Sequence, residues 1–170
     1  MEPMMPITIQ KITPDDWRVW KAIRLESLKL HPKSFGSTLE IETAWTEKKF
    51  RDTIESNTIF GAYLNNDNSL IGTVGFFTTD NPKMSHKSRM GGMYVSPESR
   101  GSGASHGLIE AVIEQARQCS LQLHCSVVID NIPALKLYKR HGFIIYGTEP
   151  RAIKIDDRYY DEYHMLLDLS

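Results

Sequence analysis

Residues 93–116 read MYVSPESRGSGASHGLIEAVIEQA, and their types and spacing suit the binding of an anion. Met93, Tyr94 and Val95 read as the end of a strand, and Pro97, Gly101 and Gly103 stop it. Leu108, Ile109, Val112, Ile113 and Ala116 then recur at the spacing of one helix face. A glycine-rich turn that opens a helix leaves backbone N–H groups unpaired and aimed outward. With the positive end of the helix dipole, these donors make a place for a phosphate or pyrophosphate. Glycine matters there because a side chain would hold the backbone away from the anion. Arg100 adds a fixed charge at the entrance. The plainer alternative is a strand-to-helix connection that uses glycine only to turn. The run has no Gly-Lys-Ser/Thr and is not a P-loop. His106 stands where a dinucleotide fingerprint needs its third glycine.

A second informative block is LHCSVVIDNIPALKLYKRHGFIIYG, residues 123–147. Leu123 to Ile129 reads as a buried strand. Asp130 and Asn131 are turn and N-cap residues. Pro133 suits a first helical turn, where its missing N–H costs nothing. Ala134, Leu137, Tyr138 and His141 share a helix face, Gly142 ends the helix, and a new strand begins at Phe143.

These two blocks resemble the GCN5-related N-acetyltransferase (GNAT) superfamily. The family's Arg/Gln-x-x-Gly-x-Gly/Ala motif is matched by Arg100 and Gly103, with Ser105 in place of the usual Gly or Ala. Its Asn-x-x-Ala-x-x-Leu-Tyr-x-x-x-Gly-Phe signature is matched without a gap by Asn131, Ala134, Leu137, Tyr138, Gly142 and Phe143. The matched block covers residues 90–147.

The resemblance implies acetyl-CoA as cosubstrate and a primary amine of a small molecule or peptide as acceptor, acetylated by direct attack on the thioester. It implies that Met93, Tyr94 and Val95 face a splayed gap and bind the pantetheine arm. Arg100, Gly101, Ser102, Gly103, Ala104 and Ser105 would hold the pyrophosphate. Asn131, Ala134 and Tyr138 would also meet the cofactor. Tyr138 occupies the family position for the acid that protonates the departing CoA thiolate; read without the motif, it is a packing residue of an apolar face. For the acceptor site the resemblance points to the segment after the first helix, with Phe35 as a wall and Glu40 as a polar contact, and Glu42 beside it. The stretch 85–92 carries no carboxylate to serve as base, only His86; Glu40 and Glu42 are alternative bases, and a water chain is the default. In the final strand, Tyr159, Asp161 and Tyr163 share one face and Tyr160, Glu162 and His164 the other; Tyr160 is the aromatic expected to meet the amine. A non-catalytic acyl-CoA-binding or sensor domain, and an acetyltransferase for protein N-termini or lysines, are alternative readings of the same motifs. Relatives that pair through terminal strands make a homodimer an option.

The elements that must position these groups can be read along the chain. Ile7 to Ile12 is a first strand. Thr13 caps a helix with Pro14 in its first turn that runs to Leu30, and residues 31–37 break it. Thr46 to Glu55 is a second helix. Thr58 to Leu64 and Leu70 to Thr78 are strands joined by a hairpin at Asn65-Asn66-Asp67-Asn68, and Ser88 to Val95 is the next strand. Phe143 to Thr148 and Tyr159 to Leu169 pair last, around a turn at Asp156-Asp157-Arg158. The order β-α-α-β-β-β-α-β-α-β-β predicts an α/β (α+β) fold, a mixed and mostly antiparallel sheet flanked by helices, in one domain over residues 1–170.

The 170 residues are 41% hydrophobic and 24% charged, with a formal net charge of −1. That balance offers no pull toward nucleic acid. No apolar run approaches the roughly 18–20 residues that span a bilayer, and the N-terminal MEPMMPITIQ lacks the features of a signal peptide; a cytoplasmic, membrane-free protein is expected. Cys119 and Cys125 show no metal-binding spacing and are expected to be buried free thiols, so no metal is anticipated.

Overall fold

The computed structural model describes residues 6–170; the first five residues of the N-terminal segment lie outside them. Twelve strands and α-helices run in the order β1 (Ile7–Lys11), α1 (Trp17–Leu30), α2 (Leu39–Thr43), α3 (Glu47–Ser56), β2 (Thr58–Leu64), β3 (Leu70–Phe77), β4 (Lys87–Val95), α4 (Ala104–Arg117), β5 (Gln122–Val128), α5 (Ile132–Arg140), β6 (Ile144–Ile155) and β7 (Arg158–Asp168). They form one seven-stranded sheet, ordered β1-β2-β3-β4-β5-β7-β6. Every neighbouring pair is antiparallel except β4–β5. The mixed, mostly antiparallel architecture is the one expected.

Each face of the sheet carries its own core. On one side, Leu108, Ile109, Val112, Ile113 and Ala116 of α4 pack with Leu135 and Tyr138 of α5 and with sheet residues Ala62, Val74 and Leu123. These α4 positions are the apolar face read from the sequence. On the other side, Trp17, Trp20 and Ile23 of α1 enclose Phe50 of α3, which has no exposed surface. Trp17, Trp20 and Trp45 all approach the Phe50 ring, with centroids 5.2–6.2 Å away. An aromatic so enclosed contributes about 3–5 kcal/mol relative to alanine.

Local chemistry explains the element ends. Thr13 and Asp16 form a capping box, with Thr13 N–H donating to Asp16 Oδ2 at 3.0 Å, and Pro14–Asp16 make a 3-10 turn before α1. The Asn65–Asn68 hairpin forms as expected, with Asn68 at φ +58°. Asn131 caps α5 by accepting from Ala134 N at 3.3 Å, and Gly142 ends it at φ +91°.

Three expectations need correction. Helix α2 is absent from the sequence reading; at five residues it is too short to show a period, and only its Thr38 cap, which accepts from Ile41 N, marks it. Strand β6 runs to Ile155 rather than Thr148. It lies at the sheet edge, where Pro150 is tolerated, and it passes a bulge between Glu149 and Ile153 with Arg151 at φ +55°. Cys119 is exposed, because α4 ends at Arg117 and the chain turns outward before that residue; Cys125 is buried, and burial pushes its thiol up to about 12.

Candidate active site

Strands β4 and β5 pair over three positions only, Lys87–Gln122, Ser88–Leu123 and Arg89–His124. Beyond Arg89 the two strands show no further pairing among the described residues. The β4 edge from Met90 to Val95 therefore faces an opening gap. Gly92, at φ +64°, and the register shift opposite Thr73 and Gly75 bend β4 at this point. The bend is what a strand needs to leave its neighbour. Gly92 also meets the Arg24 guanidinium, which lies 3.1 Å from where a Cβ would sit, so a larger residue here would be both strained and crowded. Met93 and Val95 pack on the α4 side, whereas the Tyr94 ring joins the α1 side. Its hydroxyl donates to Glu26 at 2.6 Å; burial and that carboxylate raise the phenol well above its ordinary range.

The glycine turn stands at the end of this gap. Gly101 and Gly103 take φ +78° and +88°, values that favour glycine, and no atom lies within 4 Å of a Cβ placed on either. The space above the turn is open. The N–H groups of Gly101, Gly103, Ser105 and His106 have no acceptor among the described residues; the first α4 bond is Gly107 N–H to Gly103 O at 3.0 Å. Ala104 N–H donates to Ser102 Oγ at 3.3 Å, so Ser102 satisfies one donor of the same turn. Arg100 donates to His31 Nε2 at 3.0 Å, which holds the guanidinium beside the turn. Burial, and then the Arg100 charge, lower the basicity of His31. The turn thus combines open space, unpaired backbone donors and a neighbouring guanidinium.

Tyr138 is buried in the α4-side core, outside the lining of the cavity between the parted strands, with its ring 5.8 Å from Phe143. Burial, and secondarily Cys125, raise its phenol strongly, so it holds its proton across the physiological range. Ala134 packs beside it on the same core, and Asn131 stands at the cap above.

A cavity of about 410 Å³ opens where the strands part. Its walls include Trp20, Phe35, Trp45 and Phe77, with Gly91 and Gly92 of β4 on one side and Ser126 of β5 on the other. Phe35 falls where expected, with the Arg24 guanidinium 5.1 Å from its ring. Glu40 does not line the cavity: it is exposed, and its neighbour Glu42 turns inward instead. Glu42 is buried against Arg24 in a bidentate pair, Nε to Oε2 at 2.8 Å and Nη2 to Oε1 at 2.7 Å. Tyr160 lies outside the lining, beneath Lys33, whose Nζ is 5.1 Å from the ring and pairs with Asp130 at 2.7 Å. Glu162, on the same strand face, does reach the cavity, and burial, then Glu149, raise its carboxyl above the ordinary value. Arg89 lines the opposite wall over the Phe77 ring at 4.9 Å. Thr73, a wall residue, has its Oγ1 buried without a partner among the described residues. His86 lies at the closed end of the β4–β5 seam, where its carbonyl accepts from Leu121 and Gln122, away from the gap.

Elsewhere, His106, Glu110 and His141 bring metal-ligand atoms within 4.8 Å of one another, a cluster that reading the cysteines alone does not reveal. It lies on the α4–α5 surface, outside the cavity. Among the described residues no helix is long and apolar enough to cross a membrane.

The fold is shared with known proteins. The Streptococcus pneumoniae acetyltransferase of the GNAT family superposes with a TM-score of 0.83 at 20% identity, covering 97% of this chain and 100% of that one. The Salmonella typhimurium protein yncA, solved with its cofactor acetyl-CoA, gives a TM-score of 0.83 at 17% identity over 97% of this chain and 95% of that one. At such identities the likeness is one of fold. In sequence, the L-amino acid N-acetyltransferase AaaT of Escherichia coli strain K12 is 28% identical over 101 residues, 58% of this chain. The match spans 62% of that relative's own length. Residues 20–143, which include both motifs and most of the cavity wall, match the model of the acetyltransferase (GNAT) family, and the chain belongs to that family.

Proposed function

We propose that this protein is an acetyl-CoA-dependent N-acetyltransferase whose acceptor is the α-amine of a small amino acid. The observation that carries the reading is the position of the cavity: it opens where β4 and β5 part, between the glycine turn and a half-buried carboxylate. Extended pantetheine would lie along Met93 to Val95 as an added strand, with its pyrophosphate on the N–H groups of Gly101, Gly103, Ser105 and His106. The thioester would then sit over the cavity. Glu162 offers a negative pole for an ammonium group and Arg89 a positive one for a carboxylate. Trp20, Phe35, Trp45 and Phe77 offer apolar surface to a side chain. The name of the Escherichia coli relative points to the same acceptor class.

The amine attacks the thioester carbonyl as its neutral form, and free alkyl amines, with a pKa near about 10.4, must first lose a proton. A β4 backbone N–H would hold the oxyanion. The C–S bond then breaks, and Tyr138, whose phenol is kept protonated by burial, gives its proton to the CoA thiolate and is reprotonated by the second proton lost from the acetylated nitrogen.

Calorimetric titration with acetyl-CoA, followed by CoA release in the presence of single L-amino acids, tests this reading. Micromolar binding with turnover is the expected result. Binding without turnover for any amine points to a non-catalytic acyl-CoA-binding domain. Turnover confined to peptides points to protein N-termini.

A further inference from the structure

Three side chains from three different strands form a continuous hydrogen-bonded line beside the cavity. Ser126 Oγ on β5 lies 3.1 Å from His164 Nδ1 on β7. His164 Nε2 lies 3.0 Å from Glu149 Oε2 on β6. Ser126 is a cavity wall residue, and Glu149 is exposed at the sheet surface. Continuing the β4–β5 register past Arg89–His124 would put Ser126 opposite Gly91, where the strands have just separated.

We propose that Ser126, His164 and Glu149 are the proton exit of the acetyl transfer, carrying the proton of the attacking ammonium from the cavity to solvent. The inference rests on the transferase reading above. The directions of the bonds support it. A carboxylate can only accept, so Glu149 holds the His164 proton on Nε2 and leaves Nδ1 as an acceptor. Nδ1 then accepts from the Ser126 hydroxyl, and the Ser126 lone pair is left facing the cavity. In the transfer, an ammonium N–H proton passes to Ser126 Oγ, and the Ser126 hydroxyl proton passes to His164 Nδ1. The imidazolium so formed is stabilised by Glu149; it loses one proton to water, and exchange with solvent returns the ring to its Nε2–H tautomer before the next turnover. One proton leaves the amine and one enters solvent; no bond to Ser126 oxygen other than O–H is made or broken. The same logic, a carboxylate fixing the tautomer of a histidine that serves a hydroxyl, underlies catalytic triads. Here the hydroxyl is a conduit and not a nucleophile.

His164 is also near Glu162, which lines the cavity, and near His124 and the Tyr146 ring, 6.0 Å away, which do not. Ser126 touches the substrate in this scheme; His164 and Glu149 act through it.

The test is steady-state kinetics of CoA release with acetyl-CoA and whichever L-amino acid the wild type acetylates fastest. Ser126→Ala, His164→Gln and Glu149→Gln are compared, with acetyl-CoA affinity measured by calorimetry in each. We expect kcat to fall by about 10²-fold in the first two variants, with acetyl-CoA affinity within twofold. In His164→Gln the rate should climb with pH as the amine deprotonates in bulk, and in His164→Gly added imidazole should restore part of it. Unchanged kcat in Ser126→Ala, or loss in His164→Gln that neither pH nor imidazole repairs, overturns the relay while leaving the transferase intact. An acetyl group found on Ser126 also overturns it. A wild type that turns over no amine removes the transferase reading and the relay with it.

Discussion

Arg24 and Glu42 meet end to end in the wall of the cavity, the guanidinium fork on both carboxylate oxygens at 2.8 and 2.7 Å. Glu42 is 1% exposed, so its carboxylate cannot trade the guanidinium for water. Removing one partner of such a pair leaves the other buried and uncompensated, at a cost of about 3–5 kcal/mol. Glu42→Ala should therefore lower the thermal midpoint by roughly 6–20 °C for a chain of this size. Scanning calorimetry checks this; a drop under 2 °C, against roughly 2–4 °C expected per kcal/mol, would show that water reaches the pair.

Tyr138→Phe keeps the ring that packs on Phe143 and removes only the hydroxyl. Turnover should fall by about 10²-fold, with acetyl-CoA affinity and thermal midpoint nearly unchanged. Wild-type turnover in the mutant would leave Tyr138 as a packing residue alone.

Gly103→Val places a β-branched side chain at φ +88°, in the open space where the pyrophosphate is proposed to lie. Strain of this kind costs on the order of 1–3 kcal/mol, and crowding of the anion adds to it. Acetyl-CoA affinity should drop at least tenfold. A folded mutant with unchanged affinity would move the cofactor elsewhere.

Glu162 titrates above the ordinary carboxylate range because burial and Glu149 disfavour its charge. A raised carboxyl pKa means that the anion is lost at a higher pH on acidification. The acidic limb of kcat/KM should thus lie above that of a free glutamate, near pH 4.3. In Glu162→Gln that limb should disappear and KM for the amino acid should rise. An identical limb in the variant would assign it to another group.

The glycine turn, the Asn131 cap and the α4 core face were legible because each is set by neighbours in sequence: a positive φ, a side chain reaching three residues on, a helical period. Glu40 and Glu42 were both legible as candidate bases, but a five-residue helix carries too little pattern to say which carboxylate turns inward. The face shared by Glu162 and His164 follows from strand alternation alone, but their surroundings do not. Ser126 and Glu149 reach His164 only through the β5–β7 and β6–β7 pairings, set by a bulge that no local signal announces.

The three-pair seam between β4 and β5 has a consequence for how the molecule opens. The hydrogen-bonded ladders of the sheet fall into two blocks, β1–β4 and β5–β7, joined by those three pairs and by the core that α4 packs on both. Amide hydrogens along Met90–Val95 on the gap side should exchange through local opening and not through global unfolding. A ligand lying in the gap would splice the two blocks into one ladder, and the slowing of exchange along that edge would map its length.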